Sequence, residues 1–288
     1  MEVLRALGHD ADAVVAVVHA DDIGMCHAAN VGSFEALDRG PVTCGSVMMP
    51  CGWALEAAEW ANDGREVDLG VHLTVNAEYS AYRWGPLAGR SAVPSLVDTH
   101  GHMFPSSDEV VLVSSPADVE TELRCQIDAA LEAGIDVTHL DSHMGTVFHP
   151  KFIEIVLRLG REYRLPMFLP RSMLTHYEER GYLAADTTAS LEADGFPIFD
   201  GFDADSLGFT PGDGAAHNTR RIAALRPGLN YLICHPARAG EELAAITDTD
   251  HQRDFERGFY GGDDGRAALA EHDIATVGMR ELRDLLRG

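Results

Sequence analysis

The chain has 288 residues, 45% of them hydrophobic and 24% charged, which is ordinary for a globular enzyme with one large domain or two small ones. Its formal net charge of −24 argues against the basic binding face that nucleic acids and anionic membranes require, so we expect neither as a partner. The five cysteines are odd in number and include no C-x-x-C pair, which disfavours a disulfide framework or a zinc ribbon.

The N-terminal residues show no targeting pattern. No basic segment precedes a long apolar run, and the apolar stretch 14–18 is far shorter than a membrane span. We therefore expect a cytoplasmic protein.

Apolar, β-branched runs alternate with helical patterns along almost the whole chain. This repetition predicts a parallel sheet, either open or closed into a barrel. The predicted strands are 14–19, 43–49, 67–73, 137–140, 167–169, 196–199, 229–234 and 274–277. The predicted helices are 28–37, 53–62, 116–133, 150–163, 216–225, 253–272 and 279–286.

Two segments interrupt the alternation, near 76–115 and 174–213. Both lack a clear period, and long irregular segments in a compact domain are usually lids or binding loops. Because no repeat or domain boundary is visible, we expect residues 1–288 to form a single domain with these two insertions.

Polar side chains collect where the predicted strands end. The carboxyl ends of parallel strands share one face of a barrel, and such folds carry active sites there, so we expect these side chains to lie close together. A single histidine at a strand end is more often structural, but the pattern recurs at five separate strand ends. The residues are Asp21, Asp22, His72, His139, Asp141, His143, Arg171 and His235.

Histidine and aspartate together indicate a metal site. These ligands suit Zn²⁺ and, with a water in the open position, other divalent ions. A divalent ion lowers the pKa of the water it holds, which supplies a nucleophile near neutral pH. The sequence has no G-x-S-x-G elbow, P-loop or G-x-G-x-x-G pattern, so serine-hydrolase, NTPase and dinucleotide-binding functions are disfavoured.

Four segments carry a family resemblance: HADDIGMCHAANVGSFEAL, LGVHLT, THLDSHMGTVFHP and ICHPA. In this order they resemble the signature segments of the YdjC-like carbohydrate deacetylases, the chitooligosaccharide deacetylase group of the polysaccharide deacetylase superfamily. The resemblance implies a TIM-like (β/α) barrel, complete or with only seven strands. It also implies a hydrolase that removes acetyl groups from N-acetylated sugars with the help of Mg²⁺ or Zn²⁺.

The family motifs also imply roles for individual residues. Asp22, His72 and His143 match the metal ligands. Asp21 matches the general base, and His235 matches the general acid.

The chain departs from the family at His19, where an asparagine is usual, and at Met144-Gly145, where relatives often have histidines. The second departure borders the expected sugar site, so the substrate need not be a chitooligosaccharide.

We assign four residues to substrate binding. Two of them belong to the aromatic loop after GVHLT, since aromatic faces stack on sugars; the other two lie at strand ends. Three further histidines are candidates to approach the site: His100, His102 and His149. The four assigned residues are Tyr82, Trp84, Asp141 and Arg171.

Two alternatives keep the barrel but change the function. One is a metal-dependent hydrolase of another ester or of a phosphate bond, although a chain with one lysine and no phosphate-cradling loop fits phosphate poorly. The other is a catalytically silent sugar-binding barrel. The sequence leaves open whether the protein is a monomer or a homo-oligomer.

Overall fold

The computed structural model describes residues 2–288, and a parallel β-sheet lies at its centre. Within the described residues seven strands form this sheet. They are β1 (Val14–Ile23), β2 (Cys44–Val47), β3 (Leu69–Leu73), β4 (Leu140–Ser142), β5 (Gly201–Asp203), β6 (Gly228–Cys234) and β7 (Ala275–Thr276).

The sheet curls into a barrel. Its strand order is β4-β3-β2-β1-β6-β5, with β7 beside the first half of β1, and all these pairings are parallel. Between β4 and β5, the amide of Leu140 donates to the Pro166 carbonyl at 2.9 Å, and the amide of Phe199 donates to the Leu169 carbonyl at 3.0 Å. Residues 166–170 therefore bridge the two outer strands, and the predicted (β/α) barrel is confirmed.

The predicted strands 167–169 and 196–199 were wrong in extent. The first forms only isolated bridges, in which Met167 pairs with Leu140 and Pro170 pairs with Phe199. Pro166 and Pro170 flank this segment, and proline has no N–H to donate to a ladder. The regular strand that follows is β5, which begins two residues after the second predicted strand ends.

Helices surround the barrel. The predicted helix 253–272 is split at Gly261–Gly262, and the segment 174–213 contains helical turns that its composition did not predict. Short 3₁₀ turns cover Pro94–Leu96 and His143–Phe148. The helices are α1 (Glu2–Ala6), α2 (His27–Arg39), α3 (Ala54–Asn62), α4 (Ser107–Val113), α5 (Pro116–Glu132), α6 (Ile153–Tyr163), α7 (Arg171–Glu179), α8 (Thr187–Ala193), α9 (Gly214–Ala223), α10 (Glu241–Ile246), α11 (Asp250–Tyr260), α12 (Asp263–Glu271) and α13 (Met279–Arg287).

Helix α5 shows how local sequence sets these elements. The Ser115 hydroxyl caps its N-terminus by accepting from the amide of Asp118 at 3.1 Å, and Pro116 occupies the first turn. Val119, Leu123 and Ile127 recur at helical spacing and are fully buried against the barrel. The predicted start of this helix at residue 116 is confirmed.

The alternation of β1 positions the site. Val17, His19 and Asp21 share one side of the strand, and the His19 ring stacks on the barrel residue Tyr231 with centroids 5.0 Å apart. Val18 and Ala20 share the other side and pack in a cluster with helix residues. The inner face of β1 thus changes from apolar to ionisable toward its carboxyl end.

The remaining global predictions concern cysteines and membranes. The five cysteines are free, and only Cys125 is not fully buried. Over the described residues, no helix combines the length and apolarity needed to span a bilayer.

Candidate active site

A cavity of about 440 Å³ opens at the carboxyl ends of the strands. This volume lies within the usual range for small-molecule sites. The side chains that the family motifs match to catalysis and metal binding come from β1, from β3 and from the turns after β4 and β6. All five line this cavity: Asp21, Asp22, His72, His143 and His235.

Asp22, His72 and His143 form a compact set of candidate metal ligands. Asp22 Oδ1 lies 3.5 Å from Nε2 of His72 and 3.4 Å from Nδ1 of His143. This oxygen is buried and has no hydrogen-bond partner among the residues that the structure describes. Because a buried carboxylate oxygen without a partner is costly, a cation facing it would relieve that cost. One carboxylate and two imidazoles fit a divalent ion.

The two adjacent aspartates face different partners. Asp22 has φ of +65°, in the left-handed region that aspartate tolerates better than most residues. Its carboxylate faces His72 and His143, whereas the carboxylate of Asp21 contacts His19 inside the barrel. The pair can therefore perform two different functions.

In each candidate histidine ligand, one ring nitrogen faces Asp22 and the other contacts a second carboxylate. Nδ1 of His72 lies 2.9 Å from Asp141 Oδ1, and Nε2 of His143 lies 2.9 Å from Glu78 Oε2. Burial opposes a charge on either ring, but the facing carboxylates raise the pKa of His72 well above its usual value and that of His143 to about 9. Such outer carboxylates orient histidines toward a metal and strengthen them as ligands.

Arg253 completes the surroundings of Asp22. Its Nη1 donates to Asp22 Oδ2 at 2.8 Å, and its side chain is buried on α11. Burial disfavours the charged form of Asp22, yet the Arg253 guanidinium, with help from His143 and His72, holds the pKa of that carboxyl well below its usual range. Asp22 is thus an anion with one oxygen paired to Arg253 and the other facing the histidines.

Asp21, the neighbour of Asp22 in the chain, contacts a pair of histidines. Asp21 Oδ1 lies 2.7 Å from Nδ1 of His19, whose Nε2 lies 2.9 Å from Nε2 of His139. The other oxygen, Asp21 Oδ2, lies 3.7 Å from Nε2 of His235. Asp21 therefore has one oxygen held by His19 and one facing His235 across the cavity.

His235 is oriented through a serine and a buried glutamate. Its Nδ1 lies 2.8 Å from the Ser206 hydroxyl, which donates to Glu256 Oε2 at 2.7 Å. Because the Ser206 hydroxyl donates its proton to Glu256, it can only accept from His235, so Nδ1 of His235 carries a hydrogen. In a neutral His235, Nε2 then has the free lone pair. Burial lowers the pKa of His235 to about 4 and raises that of Glu256 to about 7.

Two other groups gather potential ligand atoms within 4.8 Å: His19 with Cys44 and His139, and His19 with Asp21 and Asp141. His19, Cys44 and His139 do not line the cavity. The two Nε2 atoms of His19 and His139 are already at hydrogen-bond distance. The Asp22 set is therefore the better metal site, because all its members face the cavity.

The chain matches a known protein family over most of its length. A family model described as YdjC-like protein matches residues 15–286. The chain belongs to the YdjC-like family. The family predicted from the four sequence segments is thus confirmed.

Curated relatives of the YdjC-like family cover nearly the same length. A protein named carbohydrate deacetylase from Thermus thermophilus is 34% identical over 249 residues, which are 86% of this chain and 86% of the relative. Another of that name, from Geobacillus stearothermophilus, is 34% identical over 272 residues, 93% of this chain and 98% of the relative. A crystal structure from Enterococcus faecalis, described as a cellobiose-phosphate cleavage protein, has a TM-score of 0.77 and 24% identity, and the match covers 94% of this chain and 99% of that chain. This last likeness concerns the fold alone.

The structure brings only one of the four predicted substrate-binding residues to the cavity. Asp141 lines it, but its carboxylate is engaged with His72 and with the Ser46 hydroxyl. Trp84 is buried, and its Nε1 donates to the Asn76 carbonyl at 3.0 Å; the Tyr82 hydroxyl donates to the Met25 carbonyl. Both belong to one hydrophobic cluster, and neither lines the cavity.

The fourth of these residues, Arg171, begins α7 outside the cavity. It forms ion pairs with Glu192 at 2.7 Å and with Asp200 at 3.0 Å. The three histidines named as candidates also do not line the cavity: His100, His102 and His149.

Three phenylalanines line the cavity. They are Phe148, Phe168 and Phe202; the ring centroids of Phe148 and Phe168 lie 5.8 Å apart, and those of Phe168 and Phe202 lie 5.6 Å apart. Met144 and Gly145, the departure from the usual YdjC-like pattern, also line the cavity and have positive φ values of 52° and 66°. Their effect on the choice of substrate stays a prediction.

Sequence reasoning missed four residues of the site. Glu78 lies in the irregular loop after β3, and Ser206 lies in the loop after β5, so neither belongs to a recognisable motif. Arg253 and Glu256 are three residues apart on α11, a spacing that places both on one helix face. This shared face, which also carries the buried Tyr260, was the sequence pattern that could have identified them. The predicted helix began at Arg253, however, and the face that it turns toward the barrel was not identified.

Proposed function

We propose that this chain is a metal-dependent hydrolase that removes acetyl groups from N-acetylated sugars. The observation that carries the proposal is the arrangement around Asp22, His72 and His143, with Asp21 and His235 facing the same cavity. Family relatives named carbohydrate deacetylase support it. The net charge of −24 supports the further proposal that nucleic acid is not a partner of this chain.

Asp22, His72 and His143 would hold a divalent ion, Zn²⁺ or Mg²⁺. The two nitrogen donors favour zinc, because magnesium prefers an all-oxygen shell. When bound, such an ion polarises the acetamide carbonyl and makes water a better nucleophile near neutral pH. Asp141 and Glu78 keep the ligating nitrogens directed inward.

We assign to Asp21 the role of the base that accepts the proton of the attacking water. Its Oδ1 is held by His19, so Oδ2 keeps a fixed direction toward the cavity. A base positioned in this way contributes roughly 10²- to 10⁴-fold to the rate.

We assign to His235 the role of the acid that protonates the departing amine. Its low pKa makes it neutral near pH 7, so it must take up a proton during the reaction before it can donate one. Asp21, whose Oδ2 lies 3.7 Å from Nε2, is the neighbouring group that collects a proton. We therefore propose that the proton passes from water through Asp21 and His235 to the amine nitrogen, which leaves as the free amino sugar.

An acetate-release assay across N-acetylated mono- and disaccharides tests the proposal. Protein stripped of metal by a chelator should release no acetate, and added Zn²⁺ or Mg²⁺ should restore release. His235→Ala should keep its metal content but lose more activity on an acetamide than on an acetate ester, whose leaving group needs less protonation. Metal-replete protein that releases acetate from none of these sugars would contradict the proposed function.

A further inference from the structure

We propose, on the basis of the deacetylase function above, that Asp68 is a positioning residue for the base Asp21. Asp68 directly precedes β3, so it lies at the amino end of that strand, whereas the cavity opens at the carboxyl ends of the strands. A chain of hydrogen bonds inside the barrel connects the two carboxyl groups. A proton on Asp68 determines the direction of every bond in this chain.

The chain consists of four contacts between buried side chains. Nδ1 of His19 lies 2.7 Å from Asp21 Oδ1, and Nε2 of His19 lies 2.9 Å from Nε2 of His139. Nδ1 of His139 lies 2.9 Å from the Thr138 hydroxyl, which in turn contacts Asp68 Oδ1. Because all five residues are buried, their polar atoms have to be satisfied within the chain.

A count of hydrogens shows that this chain binds one proton more than its residues carry in their ordinary forms. The four contacts need four hydrogens, one in each contact. The Thr138 hydroxyl, a neutral His19 and a neutral His139 supply one hydrogen each, and ionised carboxylates supply none. One additional proton is therefore bound in the chain.

Asp68 is the residue that carries this proton. Burial raises its pKa to about 6, while the Thr138 hydroxyl and the amide of Arg280 act in the opposite direction. Among the charged groups of α13, Arg280 also lowers this pKa and Glu281 raises it. The Arg280 amide donates to Asp68 Oδ2 at 2.7 Å, so the proton belongs on Oδ1, which contacts Thr138. Burial lowers the pKa of His139 to about 3, so that ring stays neutral.

The proton on Asp68 fixes the tautomers of both histidines. Protonated Asp68 donates to the Thr138 oxygen, so the Thr138 hydroxyl donates to Nδ1 of His139. The hydrogen of His139 is then on Nε2 and is donated to Nε2 of His19. The hydrogen of His19 is therefore on Nδ1, where it is donated to Asp21. With Asp68 ionised and both rings neutral, every bond would reverse and a lone pair of His19 would face the Asp21 carboxylate, which is costly in a buried site.

Asp141 acts against this arrangement, but Asp21 acts more strongly in its favour. Asp141 Oδ2 lies 3.5 Å from Nε2 of His19 and attracts a hydrogen to that nitrogen, although it already accepts from the Ser46 hydroxyl at 2.9 Å. Asp21 Oδ1 is closer to the ring, at 2.7 Å from Nδ1. Because the attraction of a charge falls with distance, the single hydrogen of His19 is favoured on Nδ1.

His19 is the reason that this chain of hydrogen bonds matters. The asparagine usual at this position in the YdjC-like family has two amide hydrogens in every state, so it donates to the aspartate without help. A neutral histidine has one ring hydrogen, which either nitrogen can carry. His19 is therefore a donor to Asp21 only if its tautomer is fixed from the other side of the ring.

Nitrogen-15 NMR of the histidine side chains in zinc-loaded protein near neutral pH measures the tautomers directly. We expect a neutral His139 with its hydrogen on Nε2 and a neutral His19 with its hydrogen on Nδ1. A hydrogen on Nδ1 of His139, or a doubly protonated His19, would place the proton outside Asp68 and overturn the proposal. This measurement needs no turnover, so the proposal can fail while the deacetylase function stands. A wild-type protein that releases no acetate would contradict the function and, with it, the role of Asp68.

Two pairs of variants test whether the chain acts on catalysis. Asp68→Asn keeps a donor toward Thr138 and an acceptor for the Arg280 amide, so it should retain the tautomers and keep kcat within about twofold. Thr138→Val interrupts the chain, and it should lose roughly 10- to 100-fold in kcat with little change in KM, because the base is no longer oriented. Thr138→Ser keeps the hydroxyl and is the matched control, with most of kcat retained. Equal kcat in the two Thr138 variants, or a loss in Asp68→Asn as large as in Thr138→Val, would overturn the positioning role.

Discussion

Asp21 and Asp22 are adjacent, yet the structure gives them separate environments. Strand alternation directs adjacent side chains to opposite faces, and the left-handed backbone at Asp22 adds to this separation. A β-branched or bulky residue would be strained at that φ, whereas asparagine tolerates it almost as well as aspartate. Substitutions to asparagine at both positions therefore change charge with little effect on the backbone.

Asp22→Asn should lower metal affinity at least about tenfold, because it weakens a direct ligand. Asp21→Asn should retain metal and lose roughly 10²- to 10⁴-fold in kcat, because the amide cannot accept a proton. Metal titration and acetate release measured on the two variants check both statements. Loss of metal in Asp21→Asn with full binding in Asp22→Asn would reverse the two roles.

His19 replaces the asparagine usual in the family and contacts both Asp21 and His139. Asparagine carries its amide nitrogen near the position of Nδ1, and glutamine carries it near that of Nε2. His19→Asn should therefore keep the donor to Asp21 and most of kcat. His19→Gln should lose that donor and about 10- to 100-fold in kcat with KM unchanged.

Both His19 variants lose the ring that stacks on Tyr231, so a shared loss of thermal stability is expected and serves as the control. Equal kcat in the two variants would mean that the contact with Asp21 does not position the base.

We expect Glu78 to make the thermal stability of the metal-free protein depend on pH. Burial alone would lower the pKa of His143, but Glu78 and Asp22 raise it from its usual 6.5 to about 9. Because the pKa of His143 is higher in the folded protein than in the unfolded chain, protonated His143 stabilises the folded state. This contribution is complete below pH 6.5 and is lost as the pH rises through about 9. The Tm of chelator-treated protein should thus fall between these values, and less steeply in Glu78→Gln. Parallel curves for the two proteins would contradict this origin.

At the scale of elements, helix α11 supplies the buried partners of two site residues. Arg253 pairs with Asp22, and Glu256 accepts from the His235 amide at 2.6 Å and from Ser206. Six of the eight predicted strand-end residues line the cavity, because parallel strands bring their ends together, whereas His139 and Arg171 do not. The sequence could not predict which face of a polar helix turns inward, since that depends on how the helix docks.

Arg253→Gln should destabilise the metal-free protein by about 3–5 kcal/mol, because it leaves the buried Asp22 anion without its cation. A divalent ion would then replace part of the missing charge, so metal should stabilise this variant more than the wild type. Denaturant unfolding with chelator and with saturating Zn²⁺ measures both effects. Arg257→Gln is the matched control on the same helix, since its partially exposed pairs with Glu35 and Asp254 should be worth about 0–1 kcal/mol. An equal response of both variants to metal would contradict the pairing of Arg253 with the site.

Aromatic residues show another limit of sequence reasoning. Tyr82 and Trp84 follow β3 and were predicted to bind sugar, but Trp84 is buried and Tyr82 is partly buried in one hydrophobic cluster, and neither lines the cavity. Phe148, Phe168 and Phe202 come from three separate parts of the chain and only meet in the folded cavity. Nothing in their local sequence distinguishes them from ordinary core residues.

At the scale of the whole molecule, strand–helix alternation predicted a parallel sheet but left open whether it closes, and the family resemblance implied the barrel. The closure of the sheet was harder to predict, because the segment 166–170 forms only isolated bridges, from Met167 to Leu140 of β4 and from Pro170 to Phe199 just before β5. The helices α7 and α8 were hidden in a polar stretch without strong periodicity. Asp22, His72 and His143 come from β1, β3 and the turn after β4, which lie within four consecutive strands of the sheet, so the fold brings the three candidate ligands together.

The claim that this point holds the catalytic ion is tested most directly by anomalous diffraction from crystals of the zinc-loaded protein. We expect a strong anomalous peak among Asp22, His72 and His143, on the cavity side of Arg253. A peak at His19, Cys44 and His139 instead, with none beside Asp22, would contradict the metal site and the mechanism built on it.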